Sequence, residues 1–113
     1  MFDLIIRSDR VVTPAGVIAA DVAISGEKIA AVAAKGTCDA KSAKRFIDAT
    51  GKIVMPGGID AHTHLDMPFG GTVSSDDFAT GTRAALFGGT TTLIDFCVQT
   101  PGKSNVTTAE EKV

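Results

Sequence analysis

One stretch constrains this chain more than any other: from Ile59 to Val98 the residue pattern passes from strand to helix and back to strand. After the Pro56-Gly57-Gly58 break, Ile59 to Leu65 reads as extended and Asp66 to Val73 as a loop. Ser74 followed three residues later by Asp77 predicts the helix start, Phe78, Thr82, Ala85 and Leu86 share one helical face, and Gly88-Gly89 closes it. Thr90 to Val98 is β-branched and apolar, the pattern of a mostly buried strand. Such a unit joins two parallel strands by a right-handed crossover. Parallel strands occur almost only in larger sheets covered on both faces, so one unit implies more sheet than 113 residues can supply. Thr108-Ala109-Glu110-Glu111 starts another helix two residues before the chain stops, and the sequence reads as the truncated first part of a longer α/β protein. The alternative is a fraying tail after a small α+β domain.

The first 55 residues follow a different rule, with apolar segments too short for helices between closely spaced turn residues. Phe2 to Arg7, a Ser8-Asp9 turn, Arg10 to Thr13, and a Pro14-Ala15-Gly16 turn come first. Asp21 to Ser25 and Lys28 to Ala33 flank a Gly26-Glu27 hairpin turn. A polar loop holding Cys38 follows, and Arg45 to Asp48 with Lys52 to Met55 form a further pair around Thr50-Gly51. The expectation is an antiparallel β module over residues 1–55 and a second unit over 56–113.

Charge and composition narrow the partners. With 11 basic and 13 acidic residues there is no basic stripe to neutralise phosphates, and with six Phe, no Tyr and no Trp there is no stacking platform, so nucleic acid is not an expected partner. No apolar run approaches a signal peptide or a membrane span, and Cys38 and Cys97 sit in unlike surroundings as free thiols, which points to a cytoplasmic protein that meets no membrane.

His62-Thr63-His64 holds both histidines of the chain. Residues i and i+2 of a strand share a face, so the two imidazoles would project side by side and could converge on one divalent metal ion. Asp60 lies on that face and could orient them, and Asp95 in the next strand could face the same cavity. The plainer readings are an exposed histidine pair at a strand end and a structural Asp95 bonded to nearby backbone N–H groups. Leu65, Met67 and Phe69 follow in a loop, either as an apolar wall for a small substrate or as packing against a neighbour. Gly102-Lys103-Ser104 resembles the end of a phosphate loop, but Cys97 stands where that pattern needs glycine. Asn105-Val106-Thr107 matches a glycosylation acceptor and reads as an ordinary turn.

The run from Pro56-Gly57-Gly58-Ile59-Asp60-Ala61-His62-Thr63-His64 to Leu65-Asp66-Met67-Pro68-Phe69-Gly70-Gly71-Thr72 closely resembles the start of the barrel in cyclic amidohydrolases of the dihydropyrimidinase and D-hydantoinase group. The likeness continues through Asp76-Asp77-Phe78, Gly81-Thr82, Ala84-Ala85 and Gly88-Gly89-Thr90-Thr91-Thr92 to Ile94-Asp95-Phe96, and covers essentially the whole chain. It implies an α/β fold in which an N-terminal antiparallel β-sandwich segment precedes the first βαβ unit of a (β/α)8 TIM-like barrel. It also implies a binuclear metal centre, usually of Zn2+, that opens a cyclic amide or ureide to an N-carbamoyl amino acid, in a homo-oligomer. His62 and His64 would bind the more buried metal; the carboxylated lysine, further histidines and late aspartate of that group have no matching position here. No catalytic residue then lies within this chain, which alone is expected to be inactive. The loop from Leu65 to Thr72 resembles one of the group's stereochemistry gates, which favours the apolar-wall reading of Leu65 and Met67. Two further expectations stand beside this one: a non-catalytic assembly module pairing its open strand edges, and an amidohydrolase for another ring such as allantoin or dihydroorotate.

Overall fold

The computed structural model of the chain describes residues 1–99 and 101–112; Thr100 and Val113, the last residue of the expected second unit, lie outside the described residues. The chain divides into two compact units, Met1–Pro56 and Gly57–Val113.

The first unit is a five-stranded sheet built around β1 (Phe2–Thr13). On one side β1 pairs antiparallel with β2 (Gly16–Ser25), and β2 pairs with β3 (Lys28–Ala34) across the Gly26-Glu27 turn, where Gly26 takes a φ of 58°. The other side departs from the all-antiparallel expectation: β4 (Ala43–Asp48) and β5 (Ile53–Val54) do not pair with each other but run in succession along β1, both parallel to it. The cause is the segment after β3, which passes through a 3-10 turn at Ala40–Ser42 and carries the chain to the far edge of β1, so that β4 starts in the same direction as β1. Ser8-Asp9 is likewise no turn. β1 runs on through it with a shift of register between Ser8 and Val11, because Ser8 Oγ accepts from Arg10 N (3.1 Å) and donates to the Lys52 carbonyl (2.7 Å).

The two faces of this sheet are unlike. One carries Ile5, Arg7, Asp21 and Ala23 in register, and is organised by Asp21. Its fully buried carboxylate accepts from Arg7 Nε (2.7 Å) and Nη2 (2.9 Å) and from the backbone N–H groups of Gly36 (3.0 Å) and Cys38 (2.9 Å), which ties the loop after β3 to the sheet. The Arg7 guanidinium also donates to the Cys38 carbonyl and lies 5.1 Å from the centroid of Phe46. The opposite face is aliphatic. Val11, Ala20 and Val22 are buried there with Ile6, Ile24 and Val54 packed on them, whereas Ile18, Ile29 and Val32 on that sheet stay exposed beside an open depression of about 650 Å³.

In the second unit β6 (Gly58–Thr63) and β9 (Thr90–Asp95) form a parallel pair, joined through a short hairpin and the helix α1 (Phe78–Phe87). Both strands end sooner than the sequence pattern, at Thr63 and Asp95. The helix cap is Asp77 and not Ser74: the Asp77 carboxylate accepts from Thr80 N (2.6 Å) and the Thr80 hydroxyl accepts from Asp77 N (3.1 Å), a closed capping box. The hairpin lies inside the expected loop, β7 (Pro68–Phe69) against β8 (Thr72–Val73), turning at Gly70-Gly71 with φ of 58° and 81°. A second helix, α2 (Asn105–Lys112), starts earlier than the Thr108 capping pattern predicts, because Ser104 Oγ accepts from Thr107 N (3.1 Å) and takes the Asn105-Val106-Thr107 segment into the first turn. Among the described residues no helix is long and apolar enough to cross a membrane.

Asp21 is held down to about 2 from the ordinary 3.8, first by the Arg7 hydrogen bonds and then, against its burial, by the Cys38 and Gly36 N–H groups. Its folded value is the lower one, so its contribution is complete above about pH 4 and is lost as pH falls toward 2. Asp21→Ala should lower stability by about 3 kcal/mol in urea unfolding at pH 7 and flatten the stability profile below pH 4. An unchanged acid limb would contradict this. At Gly57 an added Cβ would fall 2.0 Å from Thr91 Oγ1 and 2.2 Å from Thr91 Cγ2, so Gly57→Ala should cost about 2 kcal/mol by the same measurement.

Candidate metal centre

The parallel pairing brings the chain's two histidines to the carboxyl end of β6. His62 is in the strand and His64 just past its last residue, Thr63, which pairs with Asp95. Between Asp60↔Leu93 and Thr63↔Asp95 the ladder gains one residue on β6, so His62 sits on an irregularity that turns its side chain. The two imidazoles meet edge to face with centroids 4.9 Å apart, and their Nε2 atoms approach to 3.1 Å. Both rings are exposed.

That separation is informative. Without an ion it serves as one N–H···N hydrogen bond. Two metal–nitrogen bonds of about 2.0–2.1 Å at a tetrahedral angle need nitrogens about 3.3 Å apart, so a small rotation of either ring opens the pair to a zinc-sized ion. Among the described residues no group of three or more His, Cys, Asp or Glu side chains converges. The spacing of the two histidines fits two ligands of one ion, and the described residues add no third to them.

The two aspartates take different positions. The irregularity at His62 leaves Asp60 bonded to its own strand, where its carboxylate accepts from His62 N (3.1 Å) and not from an imidazole. Asp95 is mostly buried, and its Oδ1 accepts from the Thr63 hydroxyl (2.8 Å) and from Leu65 N (2.9 Å), the groups on either side of His64. Its Oδ2 makes no hydrogen bond of good geometry and faces Lys112 Nζ at 2.5 Å. Burial works against this carboxylate's charge, yet Lys112, Leu65 N and the Thr63 hydroxyl outweigh it and hold its pKa below the ordinary value. Lys112 also donates to the Phe96 carbonyl and lies 6.0 Å from the Phe78 ring centroid.

The three apolar loop residues divide. Leu65 turns inward and is buried under α1, where a Cβ on Gly81 would come within 2.3 Å of its Cδ2. With Phe78, Thr82 and Leu93 it borders a cavity of about 310 Å³ between α1 and β9. Met67 is half-buried at the hairpin base, its N–H donating to Ser74 Oγ (2.9 Å) while its carbonyl accepts from Ser74 N (2.8 Å). Phe69 is 76% exposed beside the Gly70-Gly71 turn. Asp66 anchors the hairpin to the helix: at a φ of 48° it donates its N–H to the Asp76 carbonyl (3.0 Å) and accepts from Phe78 N (3.0 Å) through Oδ2. Cys38 and Cys97 are free thiols.

One contributor to the site carries no polar signal in the sequence. Phe96 stacks on His62 with centroids 4.2 Å apart and planes at 27°, and meets His64 at 5.5 Å. Its legible trace is position alone, directly after the residue that pairs with Thr63.

Comparison with known proteins gives this geometry a context. A sequence model of the composite domain of allantoinase matches residues 3–49, and one described as the amidohydrolase family matches residues 45–110. The D-hydantoinase of Streptomyces coelicolor is 53% identical over 102 residues, covering 88% of this chain and 22% of the relative. Dihydropyrimidinase 1 of Caenorhabditis briggsae is 47% identical over 94 residues, covering 83% of this chain and 19% of the relative. The crystal structure of dihydropyrimidinase from Brevibacillus agri superimposes on 98% of this chain with a TM-score of 0.85 at 50% identity, and 23% of that protein is covered. The chain thus spans about a fifth of the length of these relatives. With more than half of its residues matched by that family's model, among them both histidines and the strand that carries them, the chain belongs to the amidohydrolase family.

Proposed function

We propose that the complete protein carrying this chain is a metal-dependent hydrolase that opens cyclic amides and ureides, dihydropyrimidines and hydantoins, to N-carbamoyl amino acids. The observation that carries this reading is the convergence of His62 and His64 Nε2 to 3.1 Å at the carboxyl end of a parallel strand. In this reading residues 56–113 begin a (β/α)8 barrel, whose catalytic groups stand at that end of the strands, and residues 1–55 form part of a β-sandwich. Identities near 50% to D-hydantoinases and dihydropyrimidinases support the ring class.

His62 and His64 would hold a zinc ion through Nε2. A bound zinc supplies a Lewis acid that polarises the ring carbonyl and makes water acidic enough to attack it near neutral pH. The chain's own residues do the rest of what can be assigned to it. Asp95 and Thr63 hold the end of β6 in place, and Phe96 keeps one side of the imidazole pair apolar. Met67 and Phe69, on a hairpin rooted at Ser74, are the side chains free to line the ring's approach, while Leu65 supports the hairpin from below. The remaining metal ligands and the group that moves the proton would lie outside these 113 residues, so the chain by itself would bind weakly and turn nothing over.

The test uses the complete protein with added zinc or manganese, dihydrouracil and hydantoin as substrates, and allantoin and dihydroorotate as competing rings. Opening of the first two, lost by at least about a thousandfold in His62→Ala, is expected. Exclusive opening of allantoin or dihydroorotate would replace the proposed ring, and full activity in His62→Ala would remove the metal role of the pair.

A further inference from the structure

An imidazole at an exposed strand end has a free χ1 and a broad χ2, so two such rings would not hold their nitrogens together unless something fixed their planes. Asp95 fixes the backbone, since Oδ1 bonds the Thr63 hydroxyl and Leu65 N and the Phe96 N–H donates to the Thr63 carbonyl at 3.0 Å. These bonds bracket His64 but touch neither ring. The rings themselves are met by Phe96, face to face with His62 at 4.2 Å and tilted against His64 at 5.5 Å. Its phenyl ring has no donor or acceptor, so it restrains both imidazoles without competing for either Nε2.

We propose that Phe96 is a positioning residue that presets the planes of His62 and His64 for a shared metal ion, acting from the neighbouring strand through ring stacking. The inference rests on the metal-binding reading above, and its consequence is energetic: a site whose rings are already aligned loses less rotamer freedom when the ion arrives. Within these residues Phe96 is 43% exposed and outside the buried core, and a leucine in its place keeps the apolar bulk.

The experiment titrates the metal-depleted complete protein with cobalt(II), followed by its visible absorption, and records the imidazole proton spectrum before metal is added. Wild type is compared with Phe96→Leu, which keeps apolar bulk and loses the ring, and with Phe96→Tyr, which keeps the face. Phe96→Leu should weaken cobalt binding by roughly 10- to 100-fold, the range seen when groups supporting a ligand are removed. It should also shift the His62 ring protons downfield as the stacked ring current disappears, and Phe96→Tyr should restore both readouts. A purely structural role would lower thermal stability in Phe96→Leu and shift the His62 ring protons, since the rings are stacked, while leaving cobalt affinity at the wild-type level. Cobalt affinity within about twofold of wild type, or unmoved ring protons, overturns the inference and leaves the metal reading standing. Failure of the wild type to bind cobalt at His62 and His64 overturns that reading, and the inference with it.

Discussion

The second unit depends on where one carboxylate oxygen lands. Two short parallel strands with a helix between them have little hydrophobic area to fix their relative position, and most of their side chains remain exposed. Oδ1 of Asp95 supplies the missing constraint by taking hydrogen bonds from Thr63 and Leu65, which sets the ladder at its carboxyl end and fixes where β6 stops. From that point the local structure follows in sequence. Leu65 is turned under α1 against Gly81, Asp66 goes into a left-handed conformation and accepts from Phe78 N in the first turn of α1, and the hairpin holding Met67 and Phe69 stands on Ser74. His62 and His64 are left facing each other over Phe96.

The first unit uses the same device for a different purpose. Asp21 is a buried carboxylate that faces a cation and accepts two backbone N–H groups from the loop after β3, as Asp95 faces Lys112 and accepts one backbone N–H and one hydroxyl. An unpaired buried carboxylate is costly, and each aspartate is compensated by several donors at once, so each loop is specified and not merely tolerated. The other face of that sheet is aliphatic and open, with Ile18, Ile29 and Val32 exposed, whereas the loop after β3 ties off the Asp21 face.

Much of this was legible in the sequence and the rest failed for local reasons. His62-Thr63-His64, the Gly26-Glu27 hairpin, the end of α1 and the strand-helix-strand order can all be read from spacing and turn chemistry. The cap was misplaced because Ser74 and Asp77 both satisfy the cap pattern, and only the reciprocal Thr80 bond chooses between them. β4 and β5 looked like a hairpin, but strand direction is set by the path of the crossover and leaves no residue signature. The extra residue in β6 broke the simple alternation, turning Asp60 back on its own strand. Phe96 has no such signal because its stacking depends on the register between β6 and β9, which a sequence does not display.

His62 and His64 either share an ion or share only a hydrogen bond. Anomalous diffraction at the zinc edge from crystals of the complete protein grown with zinc tests this most directly. The proposed metal site predicts a peak about 2 Å from Nε2 of both residues. A map with both imidazoles ordered, hydrogen-bonded to each other and without a peak between them, would contradict it.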